Sequence, residues 1–177
     1  MATSSFAAAI LAGGAARRMG APKQHHQLPG GTPMGERMLN LAHAVADHVV
    51  VAGPIDCMTD CVCIPDNDEF KGDGPLAGIE AVLASNLAER WLVLPCDMPF
   101  LTETLLTSMR NCTAAAVVLE GAGPLPMVLS SDALPQVREA LRQGRRALRD
   151  LDCVRTAYVI PVADQSNLRD IDSPDDV

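Results

Sequence analysis

Aromatic residues are scarce in this chain, with one tryptophan, one tyrosine and three phenylalanines among 177 residues. A core with so few rings must rest on aliphatic side chains. Ala, Val and Leu dominate instead, as in a parallel sheet covered by helices. Basic residues are also in deficit. The formal net charge of −8 argues against a general nucleic-acid binder, so no nucleic-acid partner is expected. Long apolar runs are missing too. None approaches the ~20 residues of a membrane span, and no membrane partner is expected. The opening "MATSSFAAAILAGG" is apolar but lacks the basic start of a signal peptide, so a cytoplasmic location is expected. Six cysteines occur, at 57, 61, 63, 96, 112 and 153. Their spacing lacks the paired CxxC and HxxxH units of a zinc site. Reduced thiols, several of them buried, are expected. The length favours one domain over residues 1–177, large enough for a real core.

What is present is an alternation of strand-like and helix-like stretches. Residues 5–11, 48–53, 61–66 and 90–97 read as strands, the last ending in Pro-Cys-Asp. "AAAVVLE", "LPMVLS", "TAYVIPV" and "NLRDI" read as further strands. Apolar residues recur at helical spacing over 34–46 through Met34, Met38, Leu41 and Val45. Gly74 then Pro75 is a good helix start for 74–88. Thr102 can cap a helix over 102–110. A helix over 131–144 stops at Gly144, and a second short one follows from Arg145. The pattern predicts an α/β sheet, mainly parallel, with helices on both faces. In such sheets ligands bind beyond the carboxyl ends of the strands. Gly13, Asp66 and Asp97 all follow predicted strands and can line one crevice.

The stretch "ILAGGAARRMGAPK", 10–23, places glycines and then cations at the end of a buried strand. Gly13 and Gly14 let the backbone approach phosphates, whose charge backbone amides can cradle. Arg18 and Lys23 can neutralise a leaving pyrophosphate. The stretch is neither a Walker A loop nor a Gly-x-Gly-x-x-Gly fingerprint. The same residues otherwise make a glycine turn with solvated cations, but the strand before them favours a polyanion site. In "LVLPCDMPFL", 92–101, Asp97 is held after an apolar strand between Pro95 and Pro99. Mg²⁺ takes one or two carboxylates and completes its shell with phosphates and water, and Asp97 suits that role. A capping role for Asp97 is less needed, since Thr102 serves. Cys96 beside it reads as packing, with no histidine base placed by a motif.

In "DNDEFKGDGPLAGIE", 66–80, Asp66 and the turn at Gly74 can hold a base or ribose, or the stretch is loop chemistry alone. Asp170 and Asp172 stand two apart on the predicted strand "NLRDI" and its continuation, hence on one face. One of them can be a second metal ligand, with local capping the alternative. His25 and His26 follow Lys23 and lie within reach of a substrate, whereas His43 and His48 read as surface. "QGRRALRD", 143–150, reads as a solvated basic helix rather than an acceptor site.

Taken together, "LAGGAARRMGAPK", "GPLAG", "PCDMPFL" and "DIDSPDD" stand in the order found in molybdenum cofactor guanylyltransferases, and the chain resembles that family over nearly its whole length. "GPLPMVLS" and "GRRALRDL" resemble its middle and late segments. The resemblance implies a three-layer, Rossmann-like nucleotidyltransferase fold. It also implies GTP and Mg²⁺, and transfer of GMP to the phosphate of molybdenum-carrying molybdopterin with release of pyrophosphate. Leu11, Ala12, Gly13 and Lys23 match its nucleotide-binding positions, with Gly14 and Gly74 in the same motifs. Asp66 matches an acid used for nucleotide binding and Asp97 the Mg²⁺ ligand. A molybdoenzyme apoprotein or its chaperone is a partner by family analogy. Four positions depart from the pattern: Pro22 precedes the motif lysine, Ala52 replaces an asparagine, and Asp170 and Asp172 replace asparagines. Such aspartates occur in cytidylyltransferase relatives. The runner-up reading is therefore a relative that uses CTP or another phosphorylated acceptor. A third is a nucleotide-binding protein without catalysis, which would not need both Lys23 and Asp97.

Overall fold

The first strand, "FAAAIL", is buried along its length, with Ala7 and Ala9 facing one side and Ala8 and Ile10 the other. A strand covered on both faces is apolar at every position, which is why no polar alternation appears. In the structure, a computed structural model, residues 5–12, 23–54 and 61–171 are described. The strands are β1 (Phe6–Leu11), β2 (His48–Ala52), β3 (Cys63–Ile64), β4 (Arg90–Pro95), β5 (Ala116–Leu119), β6 (Met127–Ser130) and β7 (Tyr158–Ile160). They form one seven-stranded sheet in the order β3-β2-β1-β4-β6-β5-β7. β6 runs antiparallel to both its neighbours, and the other pairings are parallel.

Helices α1 (Met34–Val45), α2 (Pro75–Ala84), α3 (Glu103–Asn111), α4 (Leu134–Arg142) and the short α5 (Asp152–Arg155) cover the sheet. α1 and α3 pack over Ala8, Ile10, Leu92 and Leu94. α2 and α4 pack over Ala7, Ala9, Trp91 and Val93 on the other face. Trp91 is fully buried and its indole N–H donates to the Ala88 carbonyl at 3.2 Å, so its one polar group is satisfied. Pro75 opens α2, and Thr102 caps α3 by accepting the Leu105 amide at 3.3 Å.

Four expectations are corrected. The third strand is only Cys63–Ile64, because it lies at the sheet edge and pairs with Val51 and Ala52 alone. The short helix after Gly144 begins at Leu148 rather than Arg145, since Gly144 at φ +72° ends α4 and residues 145–147 take no helical form. "NLRDI" is not a strand. Asp164 accepts the Ser166 amide at 3.0 Å and caps a 3₁₀ turn over Gln165–Leu168, so the shared-face argument for Asp170 and Asp172 lapses. Finally, Cys61, Cys63, Cys96, Cys112 and Cys153 are half-buried rather than buried. Burial still pushes the Cys153 thiol above the usual thiol range.

Candidate active site

Parallel pairing brings the carboxyl ends of four strands to one edge. Leu11 pairs with Ala52 on one side and Pro95 on the other, and Ala52 pairs with Ile64. With neighbouring strands ~4.8 Å apart, β3 and β4 flank β2 and β1 at a separation of about 14 Å. Asp66 follows β3 closely and Asp97 follows β4 in the same way. The two acids therefore rise at opposite sides of the β1 and β2 ends. Between them lies a cleft of about 770 Å³, long enough for a nucleoside at one end and a phosphate chain toward the other.

The Asp66 side is built from small residues. Leu11, Ala12, Ala52, Gly72, Gly74 and Gly78 all line it. Ala12 is held by its amide, which donates to the Ala52 carbonyl at 2.9 Å. The Gly72 amide donates to Asp66 Oδ2 at 3.3 Å, so the acid also shapes the turn that faces it. Gly74 has φ +76°, a conformation that side-chain-bearing residues rarely adopt. Gly78 answers a different need. A Cβ there would stand 3.3 Å from Ala52 Cβ, 3.4 Å from Leu11 Cδ2 and 3.9 Å from Asp66 Oδ1. The glycine lets α2 lie close on the strand ends at the cleft floor.

Arginines secure this wall from outside. Arg146 pairs with Asp73 at 2.6 Å and Arg142 with Glu69 at 3.1 Å. Phe70 between them is buried and anchors the loop in the core. The stretch read as a solvated basic helix thus includes a residue, Arg146, that grips the glycine turn.

The Asp97 side is built by Pro95 at the end of β4 with Cys96, Asp97 and Met98 after it, by Ala122, Pro124 and Leu125 before β6, and by Asp170. Asp97 is half-buried and Asp170 exposed. Leu11, Ala12, Asp66, Gly74, Asp97 and Asp170 are all brought together as lining residues. Gly13, Gly14, Arg17, Arg18 and Asp172 lie outside the described residues, as does the side chain of Lys23. Lys23 opens the turn Lys23–His25, and its neighbour Gln24, buried and in the cleft, was not singled out from sequence. Nor were Met98, Ala122, Pro124 and Leu125, which contribute shape and carry no charge signal. His25, His43 and His48 are exposed, and His26 is half-buried.

Among the described residues no group of three or more His, Cys, Asp or Glu side chains is placed to hold a metal. Asp97 and Asp170 offer two carboxylates on one cleft. A hard cation that takes one or two carboxylates and fills its shell from phosphates and water fits that donor set, whereas a cation needing a full protein cage does not.

A mainly parallel sheet between two helical layers, with acids at the ends of two strands around a glycine-lined floor, defines a Rossmann-like nucleotidyltransferase. The chain belongs to the MobA-like NTP transferase family, whose domain model matches residues 8–156. It is 34% identical over 158 residues to a probable molybdenum cofactor guanylyltransferase of Opitutus terrae, covering 82% of this chain and 76% of that one. It is 31% identical over 169 residues to one of Pelotomaculum thermopropionicum, covering 90% and 79%. Against a Geobacillus relative the match, at 38% identity, spans about half of each chain, 54% and 52%. The fold is that of the molybdopterin-guanine dinucleotide biosynthesis protein A of Archaeoglobus fulgidus, with a TM-score of 0.76 at 22% identity over 96% of this chain and 93% of that one. It is likewise that of a CMP:2-keto-3-deoxy-manno-octonic acid synthetase solved with CTP, with a TM-score of 0.72 at 14% identity over 97% and 95%. Among the described residues no helix is long and apolar enough to cross a membrane.

Proposed function

We propose that residues 1–177 form one domain that transfers GMP from GTP to the phosphate of molybdenum-carrying molybdopterin, releasing pyrophosphate, in the cytoplasm. The observation that carries this reading is the two-ended cleft. Asp66 and a glycine floor stand at one side and Asp97 with Asp170 at the other, in a chain whose relatives are named for guanylyl transfer. The guanosine lies on the Asp66 side, where Ala12, Ala52 and Gly74 leave room for a purine. The triphosphate runs past the end of β1 toward Asp97. Arg18 and Lys23 stabilise the charge of the leaving pyrophosphate, and Gly13 and Gly14 bring backbone amides to the phosphates. Asp97, with Asp170, would hold Mg²⁺, which supplies positive charge to the phosphate oxygens. The acceptor phosphate attacks the α-phosphorus as the bond to the β-phosphate oxygen breaks, and the pyrophosphate leaves. The acceptor enters over Cys96, Met98, Pro124 and Leu125, and the product passes to a molybdoenzyme apoprotein or its chaperone.

Base choice decides between guanylyl and cytidylyl transfer. Guanine offers N–H groups at N1 and N2, whereas cytosine asks for a donor at N3. One pocket cannot satisfy both, and each buried mismatch costs ~1–3 kcal/mol. Direct competition of GTP and CTP for the Mg²⁺-loaded protein is expected to favour GTP by at least about tenfold. Preference for CTP would move the chain to the cytidylyl reading, which the aspartate at 170 favours.

A further inference from the structure

Among the described residues, 169–171, which carry Asp170, belong to no helix or strand, since the 3₁₀ turn before them ends at Leu168. They are fastened instead to the loop that carries Asp97, on both sides of Asp170. The Ile171 amide donates to the Asp97 carbonyl at 2.8 Å, and Ile171 is fully buried. The Arg169 guanidinium carbon stands 4.9 Å from the centre of the Phe100 ring. The loop receiving these contacts is itself braced from the opposite helix. Arg37 of α1 donates to the Pro99 carbonyl at 3.2 Å and the Leu101 carbonyl at 3.4 Å, and Leu101 is buried. Asp170, between the two fastenings, lines the same cleft as Asp97.

We propose that Arg169 and Phe100 are positioning residues that, with the Ile171–Asp97 hydrogen bond, clasp Asp170 to the Asp97 loop so that both carboxylates serve one divalent cation bound with the nucleotide. The inference rests on the reading of Asp97 as the metal ligand. The division of labour is physical. The hydrogen bond at 171 fixes the height of the chain at the cleft rim. The ring contact at 169 fixes its rotation, because a cation over a ring face has a preferred place. Without the second restraint, residue 170 can turn about the first.

The test compares GTP dissociation constants with and without Mg²⁺. In the unaltered protein Mg²⁺ tightens GTP binding. Arg169→Ala and Phe100→Leu are each expected to shrink that Mg²⁺-dependent gain about two- to fivefold, the size of one exposed cation–π contact. Metal-free GTP binding stays unchanged, and amide exchange at Ile171 quickens. The double variant is no worse than either single one. Arg169→Lys and Phe100→Tyr, which keep a cation over a ring, retain the gain. A full gain in Arg169→Ala and Phe100→Leu, with the gain lost in Asp97→Asn, overturns the clasp and leaves the metal ligand standing. A full gain in Asp97→Asn overturns both. Equal weakening with and without Mg²⁺ means general loosening of the cleft and also overturns the clasp.

Discussion

Asp97 owes its place to the backbone around it. β4 delivers it to the cleft, Met98 and Leu101 bury the loop that follows, and its carbonyl accepts the Ile171 amide. Asp97→Asn keeps all of this and removes one charge. We predict that turnover falls by at least about a hundredfold, as for loss of one transition-state charge contact, with an unchanged circular dichroism spectrum. Lys23→Ala is expected to lose about the same and Arg17→Ala less, because Arg18 is the arginine placed by the motif. Equal, small losses in pyrophosphate release for Lys23→Ala, Arg17→Ala and Arg18→Ala would reduce the cluster to a solvated turn. Gly78 makes a prediction of another kind. Alanine gains about 1 kcal/mol of helix propensity there. Its Cβ, 3.3 Å from Ala52 Cβ, requires α2 and the strand end to part by a few tenths of an ångström, at an overpacking cost of ~1 kcal/mol or more. Gly78→Ala should therefore fail to stabilise the fold and should weaken GTP binding; a higher melting temperature with unchanged binding would refute the close approach. Charged and glycine-rich site residues were legible because chemistry demands their type. Pro124 and Leu125 were not, because they act through shape, and Gln24 was not, because a single glutamine carries no motif that reveals its burial.

α2 and α4 meet over a buried charge. Glu80 is fully buried, its Oε1 accepts from Arg138 Nε at 2.8 Å, and its Oε2 has no hydrogen-bond partner among the described residues. Removing one member of a buried pair strands the other. Arg138→Ala is expected to cost about 2 kcal/mol in urea denaturation, below the value for a wholly buried pair because the arginine side chain is 37% exposed. Glu80→Gln with Arg138→Ala should recover most of it, since no charge is then stranded. The helices and inner strands were legible from period and caps, notably Pro75 and Thr102. The late segment was misread because "NLRDI" carries strand-like spacing, while a local cap at Asp164 turns the chain instead. Edge strand β3 was overcalled because pairing, and not composition, sets its length.

At the scale of the molecule, the mainly parallel sheet and two helical layers follow from alternation, since parallel neighbours need crossovers. The antiparallel insertion of β6 between β4 and β5 does not. No local feature marks which edge the hairpin joins, yet that choice brings Ala122, Pro124 and Leu125 over the Asp97 side. The cleft is thus a product of topology, with its Asp66 end near β3 and its Asp97 end under the β5–β6 connection. Guanylyl transfer is tested most directly by pyrophosphate release with molybdenum-carrying molybdopterin, Mg²⁺ and either GTP or CTP. Release is expected to need acceptor, metal and GTP together, with CTP at least about tenfold poorer in kcat/KM. Release as fast with CTP, or none with GTP in the presence of acceptor and Mg²⁺, would contradict guanylyl transfer.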